Sequence, residues 1–510
     1  MGLSAFENAV VANPVSKQLD KFFHISRRKS SIMAELRAGL TLFMTSAYIL
    51  FLNPLILSAG GLPKGDVLLA TAISTGFATG IMGLVANYPW VCSVQLGTNV
   101  YFVYQVIKPG TKPEYCPEGS VIPDGGCDGF EIHYNKALAA TVLEGIVFTA
   151  IALGGFRSSL MKLFPKTVLM AGAAGIGVFI SFVGIKSMGV VVQADPPNLV
   201  QLNKQFNRCY NDPSNGPTCP WLSMAGLTLT AILTVYHLNG SLLIGILFTT
   251  FISWIKWTDT APQKAVDAPT FQETAGNISF AWGSDSGKLI SAFVTFLYLD
   301  FIGACITFYS MGTMMDIIDE NGDIPNSNKG FLADGLGTVM GGILGTSCLT
   351  TYVESAAAVK EGGRTGLCAC FCSVLFFLMC FLSPIFTAIP NIATGPILVL
   401  IGVLIFNESI IEIEWKDLTE AIPAFLTIIV QPFTSNIAYG AIAGFGAWII
   451  IKLVTFQLHP WQKTWPGGSW ATNYLHVQAS RSMKMEMGDD TLPTTESDVA
   501  KQPPSPPPKV

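Results

Sequence analysis

Charge is what this sequence is short of. Aspartate, glutamate, lysine and arginine make up 12% of its 510 residues, where a soluble globular domain carries about 25%. Apolar residues make up 50%. They recur in runs of about 20, the length that crosses a bilayer. A soluble fold is excluded, and a polytopic membrane protein is expected. Histidine is scarce too. The five, His24, His133, His237, His459 and His476, lie mostly in loops or near the ends. No nucleophile–base set accompanies them, so no enzyme is expected, and no basic patch marks a nucleic-acid partner. No cleavable leader is expected either. The first 35 residues are polar and basic ("KQLDKFFHISRRKSS"), and the first long apolar run begins near Arg37. That basic start favours a cytoplasmic N-terminus.

The eleven cysteines divide by setting. Cys92, Cys305, Cys348 and Cys380 lie in apolar runs, as do Cys368, Cys370 and Cys372 of "CACFC". They read as small apolar side chains, because a metal needs polar support around its ligands. No metal and no cofactor is expected. Cys116 and Cys127 bracket one polar loop, and Cys209 and Cys219 another. All four are disulfide candidates on an oxidising face.

About fourteen apolar segments can be counted. The clear ones lie near 38–57, 67–87, 137–155, 167–185, 221–237, 240–256, 289–313, 331–345, 367–389, 391–406 and 437–455, and shorter ones near 97–107, 348–359 and 418–431. With the N-terminus inside, both cysteine-bearing loops fall outside, while "RSSLMKLFPK" and "KEGGR" fall inside, as the positive-inside rule requires. The expected division is a cytoplasmic segment 1–35, a first seven-helix repeat over 36–256, an extracellular loop 257–288, a second repeat over 289–455, and a disordered cytoplasmic tail 456–510.

An internal repeat supports that division. "LGTNVYFVYQVIKPG" (96–110) resembles "LGTSCLTTYVESAAAVKEGG" (344–363), and each follows a helix of small residues. Two halves of seven segments each insert with opposite orientation, the inverted repeat of secondary transporters. The short segments, Thr98 to Ile107 and Leu349 to Val359, would span about 15–17 Å at 1.5 Å per residue, half the hydrocarbon core. Two half-helices are therefore expected to begin near the midplane and to meet there, forming a polar pocket.

Glu354 falls in the first turns of the second half-helix, with Asn99 as its counterpart in the first. Between Leu289 and Met315 the one charge is Asp300. A carboxylate at that depth costs about 2.5–3.5 kcal/mol on insertion scales, and such acids usually mark a substrate or proton path. Glu354 and Asp300 are the candidate acids for binding an N–H-rich ligand and carrying a proton. Thr351 and Val353 flank Glu354 as further candidate contacts. The hydroxyls of Thr351, Tyr352 and Ser355 face a ligand or bond back to their own chain. Phe102 or Tyr101 stacks on a flat ligand or packs on neighbouring helices.

The chain resembles the AzgA-like purine permeases of the nucleobase–cation symporter superfamily. The resemblance runs from about Glu35 to Leu453. It rests on "ELRAGLTLFMTSAYILFLNP", "IMGLVANYP", "GTNVYFVY", "VTFLYLDF", "GTSCLTTYVESAAAVKEGGRTGL" and "IEWKDLTEAIPAFLTII". It implies an all-α membrane protein of fourteen transmembrane helices in two inverted sevens, split into core and gate domains. Two short strands would precede half-helices 3 and 10. It also implies proton-coupled import of adenine, guanine or hypoxanthine, and often a homodimer; a plasma-membrane location with both termini cytoplasmic is expected beside it. By motif position, Glu354 in "TYVESA" and Asp300 in "YLDF" match the family's substrate- or proton-linked acids, and Asn99 in "GTNVYF" a polar residue of its third helix. The chain departs from the family at Gly303, where a second acid is usual, and at Val94, Gln95 and Cys348 around the two strands. Gln95 either offers an amide to a ligand or caps strand backbone. The expected function is a purine transporter with an elevator-like motion. The alternatives are a non-transporting purine receptor and an anion exchanger of the same plan, which should lack an acid such as Glu354.

Overall fold

The computed structural model describes residues 14–107, 109–110, 129–130, 132–154, 166–193, 200–212, 216–236, 238, 240–258, 261–262, 264–318, 324–411, 413–434 and 437–455. Contacts divide the chain into two units, Met1–Ala447 and Trp448–Val510. The second is described only to Thr455, and all the packing below belongs to the first.

A short amphipathic helix, α1 (Pro14–Phe23), leads into α2 (Ile32–Ser46) and α3 (Ile49–Ser58), which together make one long apolar rod with a break at Ala47–Tyr48. Ser31 starts α2 by accepting the Ala34 N–H on its hydroxyl. Next comes α4 (Lys64–Ile81), finished by a wide π turn over Met82–Ala86. The strand β1 (Cys92–Val94) feeds α5 (Leu96–Tyr101), which loosens into a π turn over Phe102–Ile107. After a two-residue pairing of β2 (Pro109–Gly110) with β3 (Gly129–Phe130) come α6 (Tyr134–Gly154) and α7 (Lys166–Ser187). Two hairpins follow, β4–β5 (Val191–Gln193, Val200–Leu202) and β6–β7 (Tyr210–Asp212, Gly216–Thr218), then α8 (Pro220–Val235) and α9 (Ser241–Lys256).

The second half runs α10 (Ser286–Met314), α11 (Ser327–Leu344), β8 (Leu349–Thr351), α12 (Ser355–Lys360), α13 (Gly366–Met379), α14 (Ser383–Thr387), α15 (Asn391–Ile410), α16 (Leu418–Thr434) and α17 (Ile437–Val454). Among the described residues, six helical rods are long and apolar enough to cross a membrane, and five more are apolar but shorter.

Packing sorts these helices into two groups. In one, α2 and α4 pack on α13, α11 packs on α4 and α6, and α6 packs on α10, with α4, α10 and α11 against the ribbon made by β1 and β8. In the other, α7 packs on α15 and α16, and α8 and α9 pack on α15. Bare glycines permit the tightest crossings. A Cβ on Gly366 at the start of α13 would lie 1.9 Å from the Gly83 carbonyl oxygen, and one on Gly83 would lie 2.5 Å from the Gly366 carbonyl oxygen. Backbone meets backbone there, so no side chain fits.

β1 and β8 form an antiparallel pair with Cys92 opposite Thr351, Ser93 opposite Thr350 and Val94 opposite Leu349. The half-helices α5 and α12 leave this ribbon at opposite ends, so their N-terminal tips converge on it. Two expectations are corrected here. The second short segment is not helical from its beginning. Leu349–Thr351 is strand, and the helix proper is Ser355–Lys360, because the strand's N–H and C=O groups find partners across the ribbon. The register of the repeat also changes. The first L-G-T opens α5, but the second, Leu344–Thr346, ends α11 and enters the loop before β8. By position in the fold, the counterpart of Glu354 is Gln95, each being the residue that precedes its half-helix.

Candidate functional site

The ribbon places four side chains at the half-helix tips. Glu354 is half-buried and directly precedes α12. The hydroxyl of Tyr48, from the break between α2 and α3, donates to its Oε1. The hydroxyl of Tyr352 donates to the Val94 carbonyl at the far end of the ribbon. The rings of Tyr48 and Tyr352 are nearly parallel, at 19°, with centroids 6.3 Å apart. Gln95 is half-buried at the other tip. Its Oε1 accepts from the Thr98 hydroxyl, and its Nε2 is 3.4 Å from the Leu299 carbonyl oxygen. Ser355 accepts the Val91 N–H on its hydroxyl at 3.1 Å, tying the start of α12 to the first strand. Glu354 takes part in no ion pair among the described residues. A carboxylate held by one phenol keeps lone pairs free for a ligand's N–H groups.

Behind the ribbon lies a second set of acids. Asp300 on α10, Glu144 on α6 and Asp334 on α11 are all fully buried. Asp334 accepts from the Thr351 hydroxyl at 2.9 and 3.1 Å. Asp300 interacts electrostatically with both Glu144 and Asp334. Neither carboxylate oxygen of Asp300 or of Glu144 has a hydrogen-bond partner among the described residues. Three carboxyl groups so placed, with no cation paired to them among the described residues, repel one another strongly at low dielectric unless protons are shared among them.

Asn99 has a different setting. It is fully buried, its Nδ2 donates to Asn53 Oδ1 at 2.6 Å, and its Oδ1 accepts from the Ser347 hydroxyl. Asn53 donates in turn to the hydroxyls of Thr71, at 2.6 Å, and Thr346, at 2.8 Å. This network bolts the rod α2–α3, α4, α5 and the loop before β8 together. The two positions aligned by the L-G-T match, Asn99 and Ser347, thus bond to each other.

The structure therefore separates the expected residues by exposure. Glu354 and Val353 are half-buried at the tip of α12. Thr351 is engaged by Asp334, Asn99 by its network, and Phe102 is fully buried in a near-parallel stack on Phe296 at 6.1 Å. Asp300 belongs to the deeper acid cluster. Tyr101 donates its hydroxyl to Thr295 at 3.3 Å. Cys209 and Cys219 are joined in a disulfide. Cys116 and Cys127 lie outside the described residues. No group of three metal-ligating side chains occurs among the described residues. Sequence reading passed over Tyr48, Glu144 and Asp334. Glu144 is the one charge between Lys136 and Arg157, and Asp334 the one between Lys329 and Glu354. The lone-acid signal that singled out Asp300 was present for both.

A family model described as a permease family, Xan_ur_permease, matches residues 33–442. The guanine/hypoxanthine permease PbuO of Bacillus subtilis is 33% identical over 86% of this chain and 96% of its own length. The adenine permease AdeP of Escherichia coli is 28% identical over 86% of this chain and 92% of its own. Among solved structures, the transmembrane domain of a cyanobacterial bicarbonate transporter, BicA, matches with a TM-score of 0.59 at 15% identity, covering 81% of this chain and 97% of that one. At that identity the likeness concerns the fold alone.

Proposed function

The chain belongs to this permease family and is a multi-pass membrane transporter rather than an enzyme; from that premise we propose that it imports purine nucleobases across the plasma membrane by proton symport. The observation that carries the proposal is Glu354, a half-buried carboxylate at a half-helix tip with a phenol as its one described side-chain partner. A purine presents several N–H groups in one plane, and a carboxylate with free lone pairs is their natural acceptor. The near-parallel rings of Tyr48 and Tyr352 supply flat apolar surface beside it.

Asp300 is the proposed proton carrier, with Glu144 and Asp334 as its electrostatic neighbours. A proton shared in this cluster relieves the repulsion between carboxylates, and its release as the ribbon shifts couples proton flow to the ligand. Thr351 connects the two sites, since it bonds Asp334 and stands three residues before Glu354. The motion proposed is an elevator-like slide of the helix group around the ribbon against the group around α7 and α15. The protein is proposed to work as a homodimer with both termini cytoplasmic. The same fold also serves an anion transporter such as BicA, but an ionised Glu354 at the tip would repel an anion.

Uptake of labelled hypoxanthine, guanine, adenine and sulfate into proteoliposomes, with and without an inward proton gradient, tests the proposal. Purine uptake that rises with the gradient, and loses its pH dependence between pH 5 and 8 in Asp300→Asn, is the expected result. Purine binding without uptake would make the protein a receptor, and sulfate uptake without purine uptake would make it an anion exchanger.

A further inference from the structure

Two positions far apart in the chain, Gln95 and Gly303, meet at the first half-helix tip. A Cβ on Gly303 would lie 2.7 Å from Gln95 Nε2, so the amide rests against bare backbone of α10, in space that any side chain at 303 would claim. Gln95 precedes α5 but makes no capping bond with its side chain, leaving the amide available for other contacts. Its orientation follows from its neighbours. The Leu299 carbonyl can only accept, so the atom beside it is nitrogen, and the oxygen is the atom that takes the Thr98 hydroxyl. At 3.4 Å the bond to Leu299 is long, and the amide nitrogen carries a second N–H. Gln95 and Gly303 are both half-buried, while Val94, Leu96, Thr98 and Asp300 around them are buried. The site accordingly presents a donor at the first tip and an acceptor, Glu354, at the second. A single tyrosine side chain, Tyr352, bridges the distance between them.

We infer that Gln95, in the space left by Gly303, is a specificity-determining residue that selects 6-oxopurines over 6-aminopurines. This rests on the purine-transport reading above. A 6-oxopurine offers a carbonyl oxygen to the Gln95 N–H and a ring N–H to Glu354. Adenine turns an amino group toward the same N–H, donor against donor. A site built around a hydrogen bond rejects the analogue lacking it by far more than an apolar pocket rejects an extra methylene.

The test is competition of unlabelled hypoxanthine and adenine against labelled hypoxanthine, using the full chain in proteoliposomes, with binding to the purified protein as a second readout. Wild type should favour hypoxanthine by at least about tenfold. Gln95→Glu replaces the donor with an acceptor and should move the ratio toward adenine by about tenfold or more. Gly303→Ala should move it the same way with the fold intact, because its methyl group meets the far end of a flexible side chain. A ratio near one in wild type, or one that both variants leave within threefold, overturns the inference while leaving purine transport standing. If wild type neither binds nor transports either base, the purine reading falls and the inference falls with it.

Discussion

Replacing Glu354 by glutamine removes a charge and changes little else. The amide oxygen still accepts the Tyr48 hydroxyl, and the residue still precedes α12 with the same backbone. Folding should therefore be nearly unaffected. The ligand loses more. A hydrogen bond to a charged group contributes about 1.5–3 kcal/mol, and each 1.4 kcal/mol is about tenfold in an equilibrium constant. The KM for hypoxanthine uptake by Glu354→Gln should rise about 10- to 150-fold. Tyr48→Phe removes one neutral donor from the same carboxylate and should cost about 0.5–1.5 kcal/mol, a change of about 2- to 10-fold. The assay is the concentration dependence of hypoxanthine uptake in proteoliposomes at matched reconstitution, with the melting temperature in detergent as the control for folding. A KM for Glu354→Gln within threefold of wild type, at equal protein per vesicle, would refute the reasoning and remove Glu354 from the site.

Three further outcomes follow from the packing. Asn99→Ala strands Asn53 Oδ1 and the Ser347 hydroxyl in the interior; at about 1–3 kcal/mol for each buried unpartnered group, its melting temperature should fall clearly, and an unchanged value would dissolve the network as a support. Gly366→Ala drives a methyl group into the Gly83 carbonyl and should destabilise by at least about 1–3 kcal/mol. Gly446→Ala, where a Cβ meets nothing within 4 Å, should not, and equal effects would contradict the close crossing. Cys209→Ser opens a cross-link spanning 10 residues, worth about 2–3 kcal/mol on the chain-entropy view. Faster amide exchange confined to the β6–β7 hairpin is expected, and exchange as slow as in wild type would speak against the disulfide.

Much of the architecture was legible because the bilayer imposes it. Apolar runs, basic loops and lone acids are one-dimensional signals, and they located the helices, Asp300 and Glu354. The rest depended on pairings that the sequence does not display. The L-G-T match aligned two stretches that differ in structure, one opening a helix and one leading into a strand, and set Asn99 against Ser347, while the expected pairing of Asn99 with Glu354 came from their places in the two short segments. Only the helix starts reveal Gln95 as the counterpart of Glu354, each directly preceding its half-helix. Asn99 looked like a ligand contact because it is polar at midplane depth, yet its carboxamide is engaged at both ends. Phe102 looked like a stacking surface, and its ring lies against Phe296. Tyr48 was invisible because a tyrosine in an apolar run announces nothing until its partner is known.

The ribbon also sets a timetable for synthesis. Cys92 and Thr351, which face each other in it, are 259 residues apart in the chain. At about 5–20 residues per second, a ribosome needs on the order of 13–50 s to make the second strand after the first has emerged. For that interval the backbone of Cys92–Val94 waits with no mate inside the translocating half-protein. The proposed ligand site therefore cannot be assembled until the second half of the chain is under way, and a chain stopped after its first seven segments would hold half of that site.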